Sequence, residues 1–132
     1  MNKEIRWKQR FSNFEKAFRT LERTVAIEHP SEAERGGLIQ FFEMAFELAW
    51  KTLKDYLEAD GYQVKSPRDV LKQAFQSEII KDGHAWIEAL EDRNLAAHTY
   101  NEETALKIEG LIRDKYFPAL ATLHETLKSE VE

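Results

Sequence analysis

The amino-acid sequence predicts an all-α fold, an up-and-down antiparallel bundle of about five helices that forms one domain over residues 1–132. Apolar residues recur at helical spacing along most of the chain, and no alternating strand pattern appears. The segments between the helical stretches are short, which makes successive helices antiparallel neighbours. With 132 residues, 42% of them hydrophobic, the chain has the length of one domain and can bury a substantial core.

The first helix is predicted from about Ile5 to about Glu28. Its apolar residues step by four and three, as on one face of a helix, and the pair His29-Pro30 ends the pattern. A large aromatic stripe at this spacing is typical of core, with a subunit interface as the alternative use. The stripe consists of Trp7, Phe11, Phe14, Phe18, Leu21 and Val25.

Two serine start signals place the next two helices. Ser31 and Glu34 have the spacing of a capping box, which predicts a second helix over about Glu32–Ala59. The apolar set of this helix is wide, so we expect it to be central. Ser66 followed by Pro67 repeats the signal and predicts a third helix over about 67–77.

The last part of the chain predicts a fourth helix from near His84 and a final helical region that begins after Asn101, an N-cap residue. Pro118 interrupts this final region. Proline has no amide hydrogen and clashes with the preceding turn, so we expect the last helix to be kinked or broken at Phe117-Pro118.

Composition limits the functional classes. The chain has no cysteine, which excludes disulfides and thiolate metal sites, and its four histidines are too scattered for a metal site to be predicted. The net charge of −5 argues against a general nucleic-acid binder, although residues 1–28 carry an excess of three positive charges. No membrane span or signal peptide is visible, so we expect a cytoplasmic protein that does not contact a membrane.

One stretch carries residue types suited to chemistry, Arg93-Asn94-Leu95-Ala96-Ala97-His98-Thr99-Tyr100. Arginine offers a two-pronged fork for a phosphodiester, and histidine transfers protons near neutral pH. Asn94, four residues before His98, could orient the imidazole or bind a sugar or phosphate oxygen. These types suit RNA cleavage without a metal ion, in which a base activates the ribose 2′-hydroxyl and arginine stabilises the transition state. The alternative is a histidine at a helix end above a solvated Arg–Asn face.

Helical geometry restricts how the two main candidates can act together. Positions 93 and 98 are about 140° apart around a helix and about 7.5 Å apart along it. They can meet on one small group only if the helix loosens near His98, or if a second copy of the chain faces the first across a two-fold axis. The carboxylate pairs Glu43/Glu47 and Glu88/Asp92 are four residues apart and are interpreted as solvated or salt-bridged helix faces.

The R-x4-H-x-Y pattern with its flanking segments resembles the HEPN superfamily, and in particular the nucleotidyltransferase substrate-binding proteins that accompany minimal nucleotidyltransferases. The resemblance extends over essentially the whole chain. It includes the aromatic first helix, segment 41–51, the Ser-Pro-Arg-Asp start at 66–69, and the Asn-Glu-Glu-Thr that follows the motif.

The resemblance implies a homodimer with the paired motifs in a cleft at the two-fold axis. It further implies a toxin of a type II toxin–antitoxin pair, a metal-independent endoribonuclease with Arg93 and His98 as catalytic residues and Asn94 in support. In related pairs the nucleotidyltransferase antitoxin transfers AMP to the motif tyrosine, here Tyr100. An alternative is a non-catalytic subunit that binds substrate or nucleotide for a nucleotidyltransferase, and another is a purely structural helical adaptor. No cofactor is expected.

Overall fold

A computed structural model of the chain describes residues 2–98 and 101–132, with the backbone alone at 94–98. None of these residues is in a β-strand, so the predicted all-α fold is confirmed. The helices are α1 (Lys3–Val25), α2 (Glu32–Ala59), α3 (Pro67–Gln76), α4 (Gly83–His98), α5 (Glu102–Leu111) and α6 (Phe117–Val131), with a π-helical turn (Ile112–Tyr116) between α5 and α6.

The predicted caps of α2 and α3 are confirmed. The backbone N–H of Glu34 donates to the Ser31 hydroxyl at 3.1 Å, and the N–H of Ser31 donates to the Glu34 carboxylate at 2.9 Å. The Ser66 hydroxyl likewise accepts from the N–H of Asp69. Because each cap satisfies amides that have no partner within the helix, these short sequence signals locate the helix starts to the residue.

The end of α1 differs from the prediction, since the helix stops at Val25 and not near Glu28. The guanidinium of Arg113 donates to the backbone oxygens of Val25 (2.6 Å) and Ile27 (3.0 Å). Helix ends leave carbonyl groups without partners, and here an arginine distant in sequence supplies the donors. Local sequence therefore could not place this boundary.

The core lies chiefly between α1, α2 and the α5–α6 region. Of the aromatic stripe on α1, Trp7, Phe11, Phe14 and Phe18 are at most 4% exposed, which confirms the core interpretation. Trp7 near the start of α1 meets Tyr56 near the end of α2, with ring centroids 4.9 Å apart. This contact shows that the two longest helices run antiparallel.

The interruption predicted at Pro118 begins upstream of the proline. Residues 112–116 form a π-helical turn, in which the N–H of Phe117 donates to the backbone oxygen of Ile112, and Pro118 lies in the first turn of α6. Proline removes one amide donor from the helix, and a π turn is one way in which a helix accommodates such a loss. Ile112 and Tyr116 are both buried, so the turn is part of the core.

Candidate functional site around Arg93

The position of Arg93 follows from the packing of α4. The helix begins after Asp82, whose side chain accepts from the N–H of Ala85 at 3.1 Å, and it buries Trp86 and Ala89 against the bundle. Arg93 lies seven residues after Trp86 and four after Ala89, so it continues the same face. Its side chain is only 23% exposed, because it extends from the edge of the core along α2.

Arg93 forms an ion pair with Glu47 of α2. Its Nη1 lies 2.5 Å from Oε2 of Glu47, whose other oxygen lies 3.7 Å from Nζ of Lys51. Glu47 is 40% exposed, so the pair borders solvent. The carboxylate holds the guanidinium in one orientation, and it also occupies part of the fork that an incoming phosphate would use.

The acidic residues before Arg93 attach α4 to its neighbours. The hydroxyl of Tyr116 in the π turn donates to Asp92, and Lys115 lies 3.3 Å from Glu88. On the other side, Arg68 of α3 lies 3.7 Å from Glu91. The helix that carries Arg93 is therefore held laterally by α3 and by the π turn.

Burial makes the Tyr116 contact the strongest of these attachments. The residue is 1% exposed, and burial, followed by the hydrogen bond to Asp92 and the charge of that carboxylate, raises the pKa of Tyr116 well above its usual value. The phenol therefore stays protonated and remains a hydrogen-bond donor. By contrast, the Arg68–Glu91 contact joins two largely exposed side chains and contributes little.

The interpretation of the carboxylate pairs as salt-bridged faces is confirmed for Glu47 and Glu88, which pair with cations. Asp92 instead accepts from a buried phenol. Glu43 forms no ion pair with the described residues, and partial burial raises its pKa. The sequence spacing thus predicted ion pairing but not the identity of the partners.

The chain is anchored again directly after the motif. Asn101 caps α5 as predicted, its side chain accepting from the N–H of Thr104 at 2.8 Å. Arg35, near the start of α2, lies 2.6 Å from Glu102 and 2.7 Å from Glu109. The motif is thereby bracketed by Arg93–Glu47 on one side and Arg35–Glu102 on the other.

Several predicted site residues lie outside the described residues in whole or in part. The side chains of Asn94 and His98 are not among the described ones, and Tyr100 is not described at all. The backbone is α-helical as far as His98, so positions 93 and 98 have the separation expected in a continuous helix. The sequence allowed Arg93 and His98 to act on one group if the helix loosened near His98 or if a second copy of the chain faced the first. No loosening of α4 is observed up to His98.

Two other kinds of site are absent from residues 2–98 and 101–132. No group of three or more histidine, aspartate or glutamate side chains is arranged to hold a metal ion there. No helix in the same residues has both the length and the apolar character needed to cross a membrane.

A sequence profile described as "Nucleotidyltransferase substrate binding protein like" matches residues 9–129. The chain belongs to this family. Two solved structures support the assignment. A crystal structure of a protein from Thermus thermophilus has a TM-score of 0.75 and 34% sequence identity, covering 90% of this chain and 98% of that one. A Haemophilus influenzae protein, described as having the fold of a substrate-binding domain of a nucleotidyltransferase, has a TM-score of 0.76 and 28% identity, covering 89% and 98%.

A curated relative from Haemophilus influenzae (strain Rd KW20) carries the name probable ribonuclease HepT. It is 31% identical over 83 residues, which is 59% of this chain. The match spans 57% of that relative's length. This chain is thus similar to proteins described in two ways, as a probable ribonuclease and as a substrate-binding domain of a nucleotidyltransferase.

Sequence reasoning missed the residues that position Arg93. The sequence predicts a solvated or salt-bridged face for Glu47 but links neither Glu47 nor Tyr116 to α4. The partners are 46 and 24 residues apart in sequence, and no local pattern joins them. The signal in the sequence was the acidic segment Glu88–Asp92, which has three carboxylates in five residues. Where such a helix packs closely on its neighbours, these carboxylates need cationic or hydroxyl partners.

Proposed function

We propose that this chain is a HEPN-type toxin, a homodimeric endoribonuclease that cleaves single-stranded RNA without a metal ion and is silenced by a partner nucleotidyltransferase. The observation that carries the proposal is the placement of Arg93. It is a half-buried arginine, fixed by Glu47 at the edge of solvent, on a helix that continues to His98. Family membership and the ribonuclease name of one relative add support.

In the proposed reaction, the ribose 2′-oxygen attacks the adjacent phosphorus while His98 removes the 2′-hydroxyl proton. A new P–O2′ bond forms and the P–O5′ bond breaks. The leaving 5′-oxygen takes a proton from water, so the products are a 2′,3′-cyclic phosphate and a 5′-hydroxyl. Arg93 stabilises the negative charge on the phosphoryl oxygens in the transition state. Asn94 supports His98 by orienting its ring.

A second copy of the chain completes the site in this proposal. Positions 93 and 98 are five residues apart on a helix that does not unwind between them. Within one protomer they therefore lie on different faces of α4. Across a two-fold axis, Arg93 of one copy can act with His98 of the other. The homodimer is therefore part of the catalytic hypothesis.

Silencing is proposed to occur at Tyr100, two residues after His98. The Tyr100 oxygen attacks the α-phosphorus of ATP bound to the partner nucleotidyltransferase, an O–P bond forms, and pyrophosphate leaves. The phenolic proton passes to a base of the transferase. The resulting phosphodiester is anionic and bulky, and it would compete with RNA for Arg93.

The decisive experiment measures cleavage of single-stranded RNA by purified protein in the presence of EDTA. We expect cleavage by the wild type and none by His98→Ala. His84→Ala is the matched control, since His84 is exposed at the start of the same helix, and it should cleave normally. Equal activity of wild type and His98→Ala would remove His98 from the mechanism.

The second candidate is a non-catalytic subunit that presents a substrate or nucleotide to a nucleotidyltransferase. The contact that favours it is Arg93–Glu47, because the guanidinium already has a carboxylate partner. This function predicts binding of the transferase and no RNA cleavage at any protein concentration. Modification of Tyr100 is tested separately, by measuring the intact mass of the chain after co-expression with the transferase. A gain of one AMP that is lost in Tyr100→Phe and kept in Tyr62→Phe supports modification of Tyr100.

A further inference from the structure

An open hollow between α1 and α6 gathers four cationic side chains. Lys16, Arg19 and Arg23 follow one another on α1 at intervals of three and four residues, so they share a face, and Lys128 reaches the same hollow from α6. The hollow has a volume of about 460 Å³, and the Thr20 hydroxyl also lines it. All of its lining residues belong to α1 and α6, so it is separate from the Arg93 site on α4.

The hollow carries a formal excess of three positive charges, because Glu15 is its single carboxylate against four cations. Oε2 of Glu15 lies 2.7 Å from Nε2 of His124 and 3.7 Å from Nζ of Lys128. The hydrogen bond to His124, aided by the charges of Lys128 and Arg19, lowers the pKa of Glu15. This carboxylate is thus engaged chiefly with α6, and it offsets only part of the positive charge of the hollow.

Two of the four cations have no anionic partner among the described residues. Neither Lys16 nor Arg23 pairs with a carboxylate there, whereas Arg19 pairs with Glu22 at 2.9 Å. Nη2 of Arg23 donates to the Thr20 hydroxyl at 3.3 Å, which turns the guanidinium towards the hollow. In a chain with a net charge of −5, cations that repel one another and lack a carboxylate indicate an external anion.

We infer that this hollow binds phosphate groups of the RNA backbone, outside the cleavage site. The inference rests on the proposed function for the choice of RNA. Arginine and lysine are the usual ligands of backbone phosphates, and arginine binds them through two parallel hydrogen bonds. The Thr20 hydroxyl already donates to the backbone oxygen of Lys16 and is not counted among the phosphate donors. Contacts of this kind position a strand without reading its sequence.

The surroundings of the hollow set the path of the strand. An adjoining groove of about 680 Å³ is lined by three carboxylates, Glu22, Glu125 and Glu132. They outnumber the two cations that it shares with the hollow, Arg19 and Lys128, so the groove is less favourable for phosphates. The strand therefore follows the α1 side. Phe18 also borders the groove but is only 2% exposed, so it offers no ring face for a base to stack on. Binding in the hollow is accordingly independent of sequence.

The test measures the affinity of the full chain for a fluorescein-labelled single-stranded RNA by anisotropy. All proteins carry His98→Ala, so that the RNA stays intact. Adding Lys16→Gln and Arg23→Gln should weaken binding by roughly tenfold at low salt, and should reduce the slope of log affinity against log salt by about 1.4, since each phosphate contact on a single strand contributes about 0.7. Replacing two exposed cations elsewhere, Lys3→Gln with Lys81→Gln, is the charge-matched control and should leave both quantities nearly unchanged.

Unchanged affinity and salt slope in the Lys16/Arg23 variant would overturn the inference, and this is also the outcome expected if an acidic protein occupies the hollow. Thermal unfolding monitored by circular dichroism should confirm that the variants are folded. The outcome is separable from that of the proposed function. Loss of RNA binding in the variant, with no cleavage by a wild-type His98 protein, would support the hollow and contradict the ribonuclease.

Discussion

The hydroxyl of Tyr116 donates a hydrogen bond to Asp92, the residue immediately before Arg93. The contact joins the π turn to the helix that carries the candidate site, and its donor Tyr116 is buried. Because Arg93 is held from the other direction by Glu47, the orientation of its guanidinium depends on two contacts that lie far apart in sequence.

Tyr116→Phe should lower the free energy of unfolding by about 1.5–3 kcal/mol, the range for a hydrogen bond to a charged group. The substitution removes only the hydroxyl and leaves the ring packed, with its stacking on Phe42 intact. Urea denaturation measures the effect. Tyr62→Phe is the control, since Tyr62 is 39% exposed and its loss should change stability by less than about 0.5 kcal/mol. Equal stability of both variants and wild type would mean that the contact is not structurally important.

The raised pKa of Tyr116 predicts a pH dependence at the alkaline end. Below the unfolded-state pKa of about 10, both states keep the phenolic proton and the contribution is fully present. As pH rises above that value, only the unfolded chain loses the proton, so stability is lost towards the higher folded-state pKa. Between about pH 9 and pH 11, wild type should lose more stability than Tyr116→Phe. Parallel curves for the two proteins would contradict the assignment.

Glu47→Gln should tighten RNA binding by up to about fivefold, because an ion pair that borders solvent is worth no more than about 1 kcal/mol. Glutamine keeps the shape of the side chain but no longer competes with phosphate for Arg93. Anisotropy with labelled RNA provides the measurement. Glu58→Gln is the control on the same helix, where the carboxylate pairs with Lys54 and Arg6 instead. Weaker binding in Glu47→Gln would show that the carboxylate organises Arg93 for binding and does not obstruct it.

Asp55→Asn should destabilise the pairing of α1 with α2. Asp55 is 4% exposed and accepts from Nε of Arg10 at 2.9 Å, with Arg6 at 3.9 Å from its other oxygen. Removing its charge weakens the hydrogen bond from Arg10 and the ion pair with Arg6, at an expected cost of about 1.5–3 kcal/mol. Urea denaturation checks the value, with the exposed Asp60→Asn as control. A loss no larger than that of the control would mean that these ion pairs contribute little.

A mixture of two inactive variants tests the composite site. If Arg93 of one copy acts with His98 of the other, a dimer of one Arg93→Ala chain and one His98→Ala chain keeps one intact site. Random mixing makes half of the dimers mixed, so about a quarter of wild-type cleavage should return. Each variant alone should be inactive. No recovery after refolding the mixture would indicate that the site lies within one protomer.

The sequence alone was sufficient for the parts of the fold that local signals determine. Capping residues such as Ser31 and Ser66 act within one turn of the chain, and they placed two helix starts correctly. The aromatic stripe of α1 identified its buried face for the same reason, since helical periodicity is a local property. The interruption near Pro118 was also predictable from the chemistry of proline, although not its form as a π turn.

Long-range polar contacts were beyond prediction. Arg113 ends α1 by binding carbonyl oxygens 86 and 88 residues away, and Glu47 meets Arg93 across 46 residues. In the sequence, such side chains look the same as those of any solvated helix face. The roles of Arg93, His98, Asn94 and Tyr100 stay predictions, since they rest on the motif and on family resemblance.

The π turn at 112–116 separates two helical frames. A turn closed by i→i+5 hydrogen bonds contains one residue more than an α-helical turn. The residues that follow it are therefore shifted in phase compared with an uninterrupted α-helix of the same sequence. The apolar residues of α5, such as Ile108, and those of α6, such as Leu120, therefore both face the core although they are out of phase on one continuous α-helix. Deleting a single residue from the turn would restore an unbroken α-helix and leave the buried leucines of α6 in phase with Ile108, because the π turn accommodates one residue more than an α-helical turn. The face that the C-terminal helix turns to the core is thus set at the same turn from which Tyr116 contacts α4.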